Sequence, residues 1–263
     1  MHTRHLSPKK NQKALSLQTA VVIPVYNDAA YLRRCLERLA EQTHMPDQVI
    51  VVDNNCTDNS AAIASNYPFV TVVQETTQGI CAAAKTGYDT AANLADIILR
   101  CDADSRPSQD WVESIVETFH RYPHIAAVTG PGVLNGLPTP LQPFAQFFYM
   151  QLYFWSVGAA LGQKPLFGSN CDFRAEMWQK TKNTTHLHRQ DLHDDIDLSY
   201  HIAQYGKIFY NPHLKMPISA RPFRSLRGLL KRFPMGLRSI FVHWPEQAPW
   251  QRPQESNNDN RRP

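Results

Sequence analysis

Residues 96–104 read DIILRCDAD. The apolar part, Ile97, Ile98 and Leu99, has the length of a strand rather than a helix, and two carboxylates, Asp102 and Asp104, follow it. Two earlier stretches are built alike. Residues 19–24 (TAVVIP) run into Tyr26, Asn27 and Asp28, and residues 48–53 (QVIVVD) run into Asn54 and Asn55. Short runs rich in Val and Ile, bounded by turn residues, predict buried strands. Further strands are expected at 70–73 and 126–129. Helical patterns fill the gaps. Leu32, Cys35, Leu36 and Leu39 form a stripe, a short helix starts at Ser60, and 79–92 is Ala-rich. Another helix carries Trp111, Ile115, Val116 and Phe119 on one side, with Ser108 as its expected N-cap. Alternating strands and helices imply βαβ units, and so an α/β fold: a mostly parallel central sheet with helices on both faces. Such sheets bind ligands beyond the carboxyl ends of their strands. The polar residues gather at those ends here.

The rest of the chain is less regular. A strand is expected within 168–174, a helix over 194–205, a strand at 207–210 and a basic helix over 226–233. Residues 143–162 are rich in Phe, Tyr, Leu and Trp but interrupted by Gln146 and Gln151, so they read as a buried or interfacial helix, not a membrane span. The domain reading is a basic, flexible N-terminus (1–18), one main α/β domain (19–218), a basic amphipathic C-terminal extension (219–250) and a disordered polar tail (251–263).

With 263 residues, 43% of them hydrophobic, the chain can bury a sizeable core. Its five cysteines are scattered without CxxC spacing, which argues against a disulfide framework or a zinc site and for a reducing, cytoplasmic compartment. The net charge of +4 is uneven. Residues 207–238 carry eight Lys or Arg and no acid, which points to an anionic partner. No apolar core of signal-peptide type follows the basic start.

Asp102 and Asp104 suit a hard divalent cation, which takes carboxylates together with phosphate oxygens of a substrate. A solvated acidic turn is the plainer reading of a lone DxD; its place at a strand end favours the metal. Asp53 is placed to accept a hydrogen bond from a base or a ribose, or to shape an Asx-turn. His193-Asp194-Asp195-Ile196-Asp197 opens a helix, whose dipole favours acids there. One of them, Asp195 with Asp194 as the alternative, is a candidate general base for an acceptor hydroxyl.

Residues 20–27 (AVVIPVYN), 51–60 (VVDNNCTDNS), 79–87 (GICAAAKTG), 102–104 (DAD) and 194–198 (DDIDL) stand in the order seen in family 2 glycosyltransferases of GT-A fold, and the chain resembles that family over residues 19–210. The resemblance implies inverting, single-displacement transfer from a nucleotide-diphospho-sugar with Mg²⁺ or Mn²⁺. It implies that Pro24, Tyr26, Asp53, Lys85 and Asp102 serve the nucleotide and that Asp104, with Asp102, holds the metal. It implies that Asp195 is the base and that Gly168, Ser169 and Asn170 border donor sugar and acceptor. The expected donor is UDP-, GDP- or dTDP-linked, and the expected acceptor a sugar or a lipid-linked sugar in cell-envelope or glycoconjugate synthesis. Two departures stand out: the family's common VVDDGSTD reads VVDNNCTD, and its Glu-Asp pair is Asp194-Asp195. The QxxRW motif and membrane spans of processive synthases are absent, so a single-sugar transfer is expected.

Arg221, Arg224, Arg227, Lys231 and Arg232 interleave with Phe223, Leu226, Leu229, Leu230 and Phe233. Residues 221–240 thus suit docking on an anionic membrane, or cover the sheet as an ordinary amphipathic helix; a third role is an Arg closing over the donor diphosphate. His186, His188 and His193 have no spacing that joins them, and a mobile polar loop is expected. Two other classes compete with the transferase. A nucleotidyltransferase usually needs a Gly-rich phosphate loop, and PVYNDAAYL has none. A non-catalytic sugar-nucleotide or membrane-binding module would not need Asp194 and Asp195. No nucleic-acid motif accompanies the basic segment.

Overall fold

The computed structural model describes residues 17–135, 142–221 and 226–251. Most of the basic N-terminus and the tail from 252 onward lie outside the described residues, as do the side chains of Arg224, Arg227, Lys231 and Arg232. The chain runs β1 (Thr19–Val25), α1 (Ala29–Ala40), β2 (Gln48–Asp53), α2 (Ser60–Ser65), β3 (Val70–Gln74), α3 (Ile80–Ala91), β4 (Ile97–Arg100), α4 (Trp111–Arg121) and β5 (Ala127–Thr129). It continues through β6 (Gly132–Asn135), α5 (Gln142–Leu161), β7 (Cys171–Arg174), α6 (Ala175–Thr181), α7 (Asp194–Ile202), β8 (Ile208–Tyr210), β9 (Met216–Ser219) and α8 (Leu226–Phe241).

Seven strands form the main sheet in the order β3-β2-β1-β4-β7-β5-β8. All neighbours are parallel except around β7, which runs antiparallel to both β4 and β5. β1 shows why both faces are covered. Val21, Ile23 and Val25 point into a core with α1 and α4, whereas Ala20 and Val22 point into a second core with α3, α6 and α7. Helix α3 approaches β1 so closely that a Cβ on Gly87 would lie 2.3 Å from Val22 Cγ1. A glycine inside that helix is therefore a packing requirement.

The antiparallel β7 places the site. In a parallel sheet the carboxyl ends of β1, β2 and β4 share one edge. A strand of opposite sense brings its amino end there, so residues 168–170 arrive beside the turn that follows β4.

Three expectations need correction. The helix after Ser108 begins at Trp111 with Asp110 in the cap position, and no side chain caps it. The strand expected within 168–174 is confined to 171–174; Gly168 to Asn170 form the loop before it. The basic helix does not stop before Pro234. α8 continues through it to Phe241, although an interior proline costs about 3 kcal/mol. Packing against α5 and α7 offsets this; Ser239, fully buried, accepts a hydrogen bond from the His193 N–H at 2.7 Å. β6 and β9, paired parallel as a separate two-stranded sheet, and α6 carried no signal that periodicity registered.

Candidate active site

The site is assembled around an arginine that strand periodicity alone treats as an intruder. Arg100 ends β4, and its side chain is 2% exposed. Its Nη2 donates to Asp102 Oδ1 at 3.0 Å and its Nη1 contacts Asp194 Oδ2. Burial works against the guanidinium charge, but Asp194 and Asp102 outweigh it and hold the pKa well above the usual arginine range. Burial pushes the Asp194 carboxyl up, with Arg100 opposing it. The ion pair fixes the first turn of α7 against the end of β4.

Asp102 is held from three sides. Besides Arg100, Ser169 Oγ–H donates to its Oδ2 at 2.5 Å, and its own backbone N–H donates to Ser105 Oγ at 3.1 Å. Asp104 is less committed. Among the described residues its carboxylate meets Arg221 Nη2 at 3.4 Å. Burial, then repulsion from Asp102, raises the Asp104 carboxyl to about 6, with Arg221 opposing. Arg221 also grips Asp28 at 2.6 and 3.0 Å and lies 3.9 Å from the Tyr31 ring centroid.

Asp195, half-buried, is pinned at the other end. Its Oδ2 accepts from the Gly168 N–H at 2.9 Å and lies 3.1 Å from the Tyr153 hydroxyl, whose one hydrogen is shared with the Leu166 carbonyl at 2.5 Å. Burial, with the Asp195 charge beside it, holds the Tyr153 phenol protonated far above its usual pKa. A Cβ on Gly168 would lie 3.3 Å from Asp195 Oδ2, so only a glycine lets this backbone approach without displacement. Asp194 and Asp195 thus face apart: the first is spent on Arg100, the second faces the loop before β7.

Other candidate residues divide clearly. Pro24 and Asp53 lie at the ends of β1 and β2, where Val25 pairs with Asp53. Asp53 Oδ1 accepts from the Cys56 N–H at 2.9 Å. Tyr26 is 52% exposed beside them. Asn27 adopts φ 51°, and its Oδ1 accepts from the backbone of Thr57 and Asp58 at 2.7 and 3.2 Å. Asn54, the departure from the family pattern, has a structural cause. Its amide donates to the carbonyls of Glu75 and Thr77 at 3.0 and 2.7 Å and accepts from the Gly79 N–H at 2.7 Å. A carboxylate has no hydrogen to donate and cannot replace it.

Two residues sit apart from the cluster. Lys85 lies on the exposed side of α3 and pairs with Asp89 at 2.7 Å. Asn170 is fully buried, with its amide bonded to Trp111 Nε1 at 3.0 Å and to the Leu214 carbonyl at 2.7 Å. It shapes the loop instead of lining a surface. Sequence reasoning missed Arg100 and Tyr153. The one readable signal was a charge inside the apolar strand IILRC.

Of His186, His188 and His193, His186 alone joins a group of possible ligands among the described residues, with His201 and His243 around Asp197.

A family model for glycosyl transferase family 2 matches residues 20–174, more than half the chain. The glycosyltransferase AglE of Haloferax volcanii is 32% identical over 107 residues, which is 38% of this chain and 34% of that protein. The glycosyltransferase GlyA of Streptococcus pneumoniae is 29% identical over 39% of this chain and 15% of its own length. The chain thus spans about a third of the length of one of these curated relatives and 15% of the other. Among solved structures, the mannosyltransferase PcManGT of Pyrobaculum calidifontis, in complex with GDP-Man and Mn²⁺, superposes with a TM-score of 0.65 at 22% identity. That match covers 87% of this chain and 64% of PcManGT. S. aureus TarS 1–349 with UDP-GlcNAc gives 0.59 at 16% identity over 78% and 59% of the two chains. Strand-end acids, an acid pair opening α7 and a matching family model agree, so the chain belongs to glycosyl transferase family 2 and has the GT-A fold.

Proposed function

We propose that this chain transfers a single sugar from a nucleotide-diphospho-sugar to an acceptor hydroxyl with inversion, with Asp195 as general base. The observation that carries the assignment is the unequal fate of the two adjacent acids. Asp194 is buried against Arg100, while Asp195 is half-buried and held only by neutral donors, from Gly168, Tyr153 and Ile196. A base must reach its proton within hydrogen-bond distance, and Asp195 is the more exposed of the two acids. In the proposed step the acceptor oxygen bonds to the anomeric carbon as its proton passes to Asp195. The bond to the nucleoside diphosphate breaks, and the bonding electrons leave with it.

The donor set fits Mg²⁺ or Mn²⁺: the ligands available are hard carboxylate oxygens, and Asp104 is the least engaged. Asp104, supported by Asp102, would hold the ion, which when bound supplies charge neutralisation for the leaving diphosphate. Pro24, Tyr26 and Asp53 flank the proposed nucleoside site, and Gly168 and Ser169 the proposed donor–acceptor border. Arg221, bridging Asp28 and Asp104, is the cation placed to meet the diphosphate.

A thermal-shift screen with UDP-, GDP- and dTDP-sugars, with and without Mn²⁺, identifies the donor, because a selective ligand stabilises by mass action. With that donor, Asp104→Ala is expected to lower transfer by about 10²-fold or more, in line with several kcal/mol of metal stabilisation. Circular dichroism should remain native. Full activity in this variant removes the metal role.

A second proposal concerns location. No helix among the described residues is long and apolar enough to cross a membrane. Phe233, Phe241 and Leu237 are nevertheless exposed on α8, whose sequence is basic, as are Trp155 on α5 and Trp250 beyond α8. We propose peripheral docking at the cytoplasmic face of an anionic membrane, where a lipid-linked acceptor would be reached. Phe233→Glu with Phe241→Glu is expected to cut sedimentation with anionic vesicles at least about tenfold, since each change removes an exposed ring that would insert into the membrane and adds repulsion. Unchanged sedimentation would refute docking.

A further inference from the structure

We propose that His186, Asp197, His201 and His243 form a structural zinc site, separate from the strand-end acids. One ligand atom from each residue lies within 4.8 Å of all the others. Asp197 and His201 stand four residues apart on α7 and so share one helix face. His186 comes from the loop before α7, and His243 from the turn after α8.

The hydrogen bonds around the histidines determine what they offer. His243 Nδ1 lies 2.7 Å from the Ser239 carbonyl. A carbonyl only accepts, so Nδ1 carries the hydrogen. His201 Nδ1 lies 3.2 Å from Thr184 Oγ, whose own hydrogen is donated to the Thr181 carbonyl at 2.9 Å. This Nδ1 must also carry the hydrogen. In both neutral rings Nε2 then bears a lone pair. Both Nε2 atoms are buried and make no hydrogen bond, yet they lie 3.6 Å (His201) and 3.1 Å (His243) from Asp197 Oδ1. His186 Nδ1 approaches the same oxygen at 2.8 Å.

Lone pairs turned toward a carboxylate repel. Three ring nitrogens crowd Asp197 Oδ1, and one oxygen cannot satisfy three directional N–H donors. A divalent cation among the four atoms removes the conflict. An outward Nδ1–H held by a backbone carbonyl, as for His243, is the usual support of a metal-bound histidine. Tyr200 stacks on the His243 ring at 4.3 Å and fixes its plane. Three imidazoles and one carboxylate suit zinc and not Mg²⁺, which takes oxygen. Four protein ligands leave no open position, so the role is structural. A tetrahedral site with bonds of about 2.0–2.1 Å needs ligand separations of about 3.3 Å, so the widest pair must contract by about 1.5 Å. His186, 29% exposed, is the ligand by which zinc would enter. Cysteine spacing gave no hint of such a site; its ligands come from three separate segments.

The consequence is positional. Asp197 lies one turn beyond Asp194 and Asp195, so zinc would clamp the start of α7 to its preceding loop and to the segment that follows α8.

The test uses the untagged full chain, stripped with dipicolinate and titrated with Zn²⁺. We expect one zinc per chain after gel filtration, and a Tm rise of about 5–10 °C at a hundredfold excess over Kd. With Co²⁺ instead, visible bands of a four-coordinate N/O site are expected, without thiolate charge-transfer absorption. Asp104→Ala should keep all three signals, whereas His201→Gln with His243→Gln should lose them. Stripped wild-type protein that retains no zinc overturns the proposal without recourse to any variant. Thiolate absorption, or zinc retained by the double variant, overturns it equally.

Discussion

Asp195→Asn is expected to lower kcat by about 10²–10⁴-fold, the range general-base catalysis supplies, while donor affinity stays near the wild-type value. The amide has the carboxylate's shape. Its oxygen still accepts from the Gly168 N–H and lies beside the Tyr153 hydroxyl, which hold the side chain at 2.9 and 3.1 Å. What disappears is the ability to take a proton. Single-turnover rates and donor Kd, measured separately, distinguish this from a folding defect. Asp194→Asn is the informative partner. Asp194 is buried against Arg100, so its loss should appear first in stability. Near-normal turnover in Asp195→Asn, with collapse in a folded Asp194→Asn, would transfer the base assignment to Asp194.

The second large effect falls on stability. Arg100→Met removes the guanidinium that compensates a buried carboxylate, Asp194, and also supports Asp102. Breaking a buried ion pair by deleting one partner costs about 3–5 kcal/mol, because the surviving charge is left without compensation. For a chain of this size that is a Tm fall of about 6–20 °C. Asp194→Asn added to Arg100→Met should recover part of the loss, since it removes the orphaned charge, and the double-mutant cycle measures the coupling. Urea denaturation of the four proteins checks it. A change in Arg100→Met below about 0.5 kcal/mol would mean the pair does not anchor α7.

Much of the frame was legible because strands and helices are local. TAVVIP, QVIVVD and DIILRC carry the apolar runs of buried parallel strands, and β1, β2 and β4 fall within two residues of the expected bounds. The rule that ligands gather at carboxyl ends then singled out Asp53, Asp102 and Asp104, and the helix-opening acids marked Asp194 and Asp195. The α8 boundary was misread because a proline is a local stop signal, whereas the packing that carries the helix past Pro234 is not local.

Residue types and periods along this chain are enough to determine an α/β sheet with acids at its strand ends, since both depend on neighbours a few positions away. Which acid is spent on structure and which stays accessible was decided only in three dimensions. Arg100 meets Asp194 across 94 positions, and Gly168 and Tyr153 meet Asp195 across 27 and 42. The same holds for the histidines. His186, His201 and His243 converge because α7 and α8 pack together. Charge pairing and ligand geometry depend on distance in space, which sequence spacing does not encode.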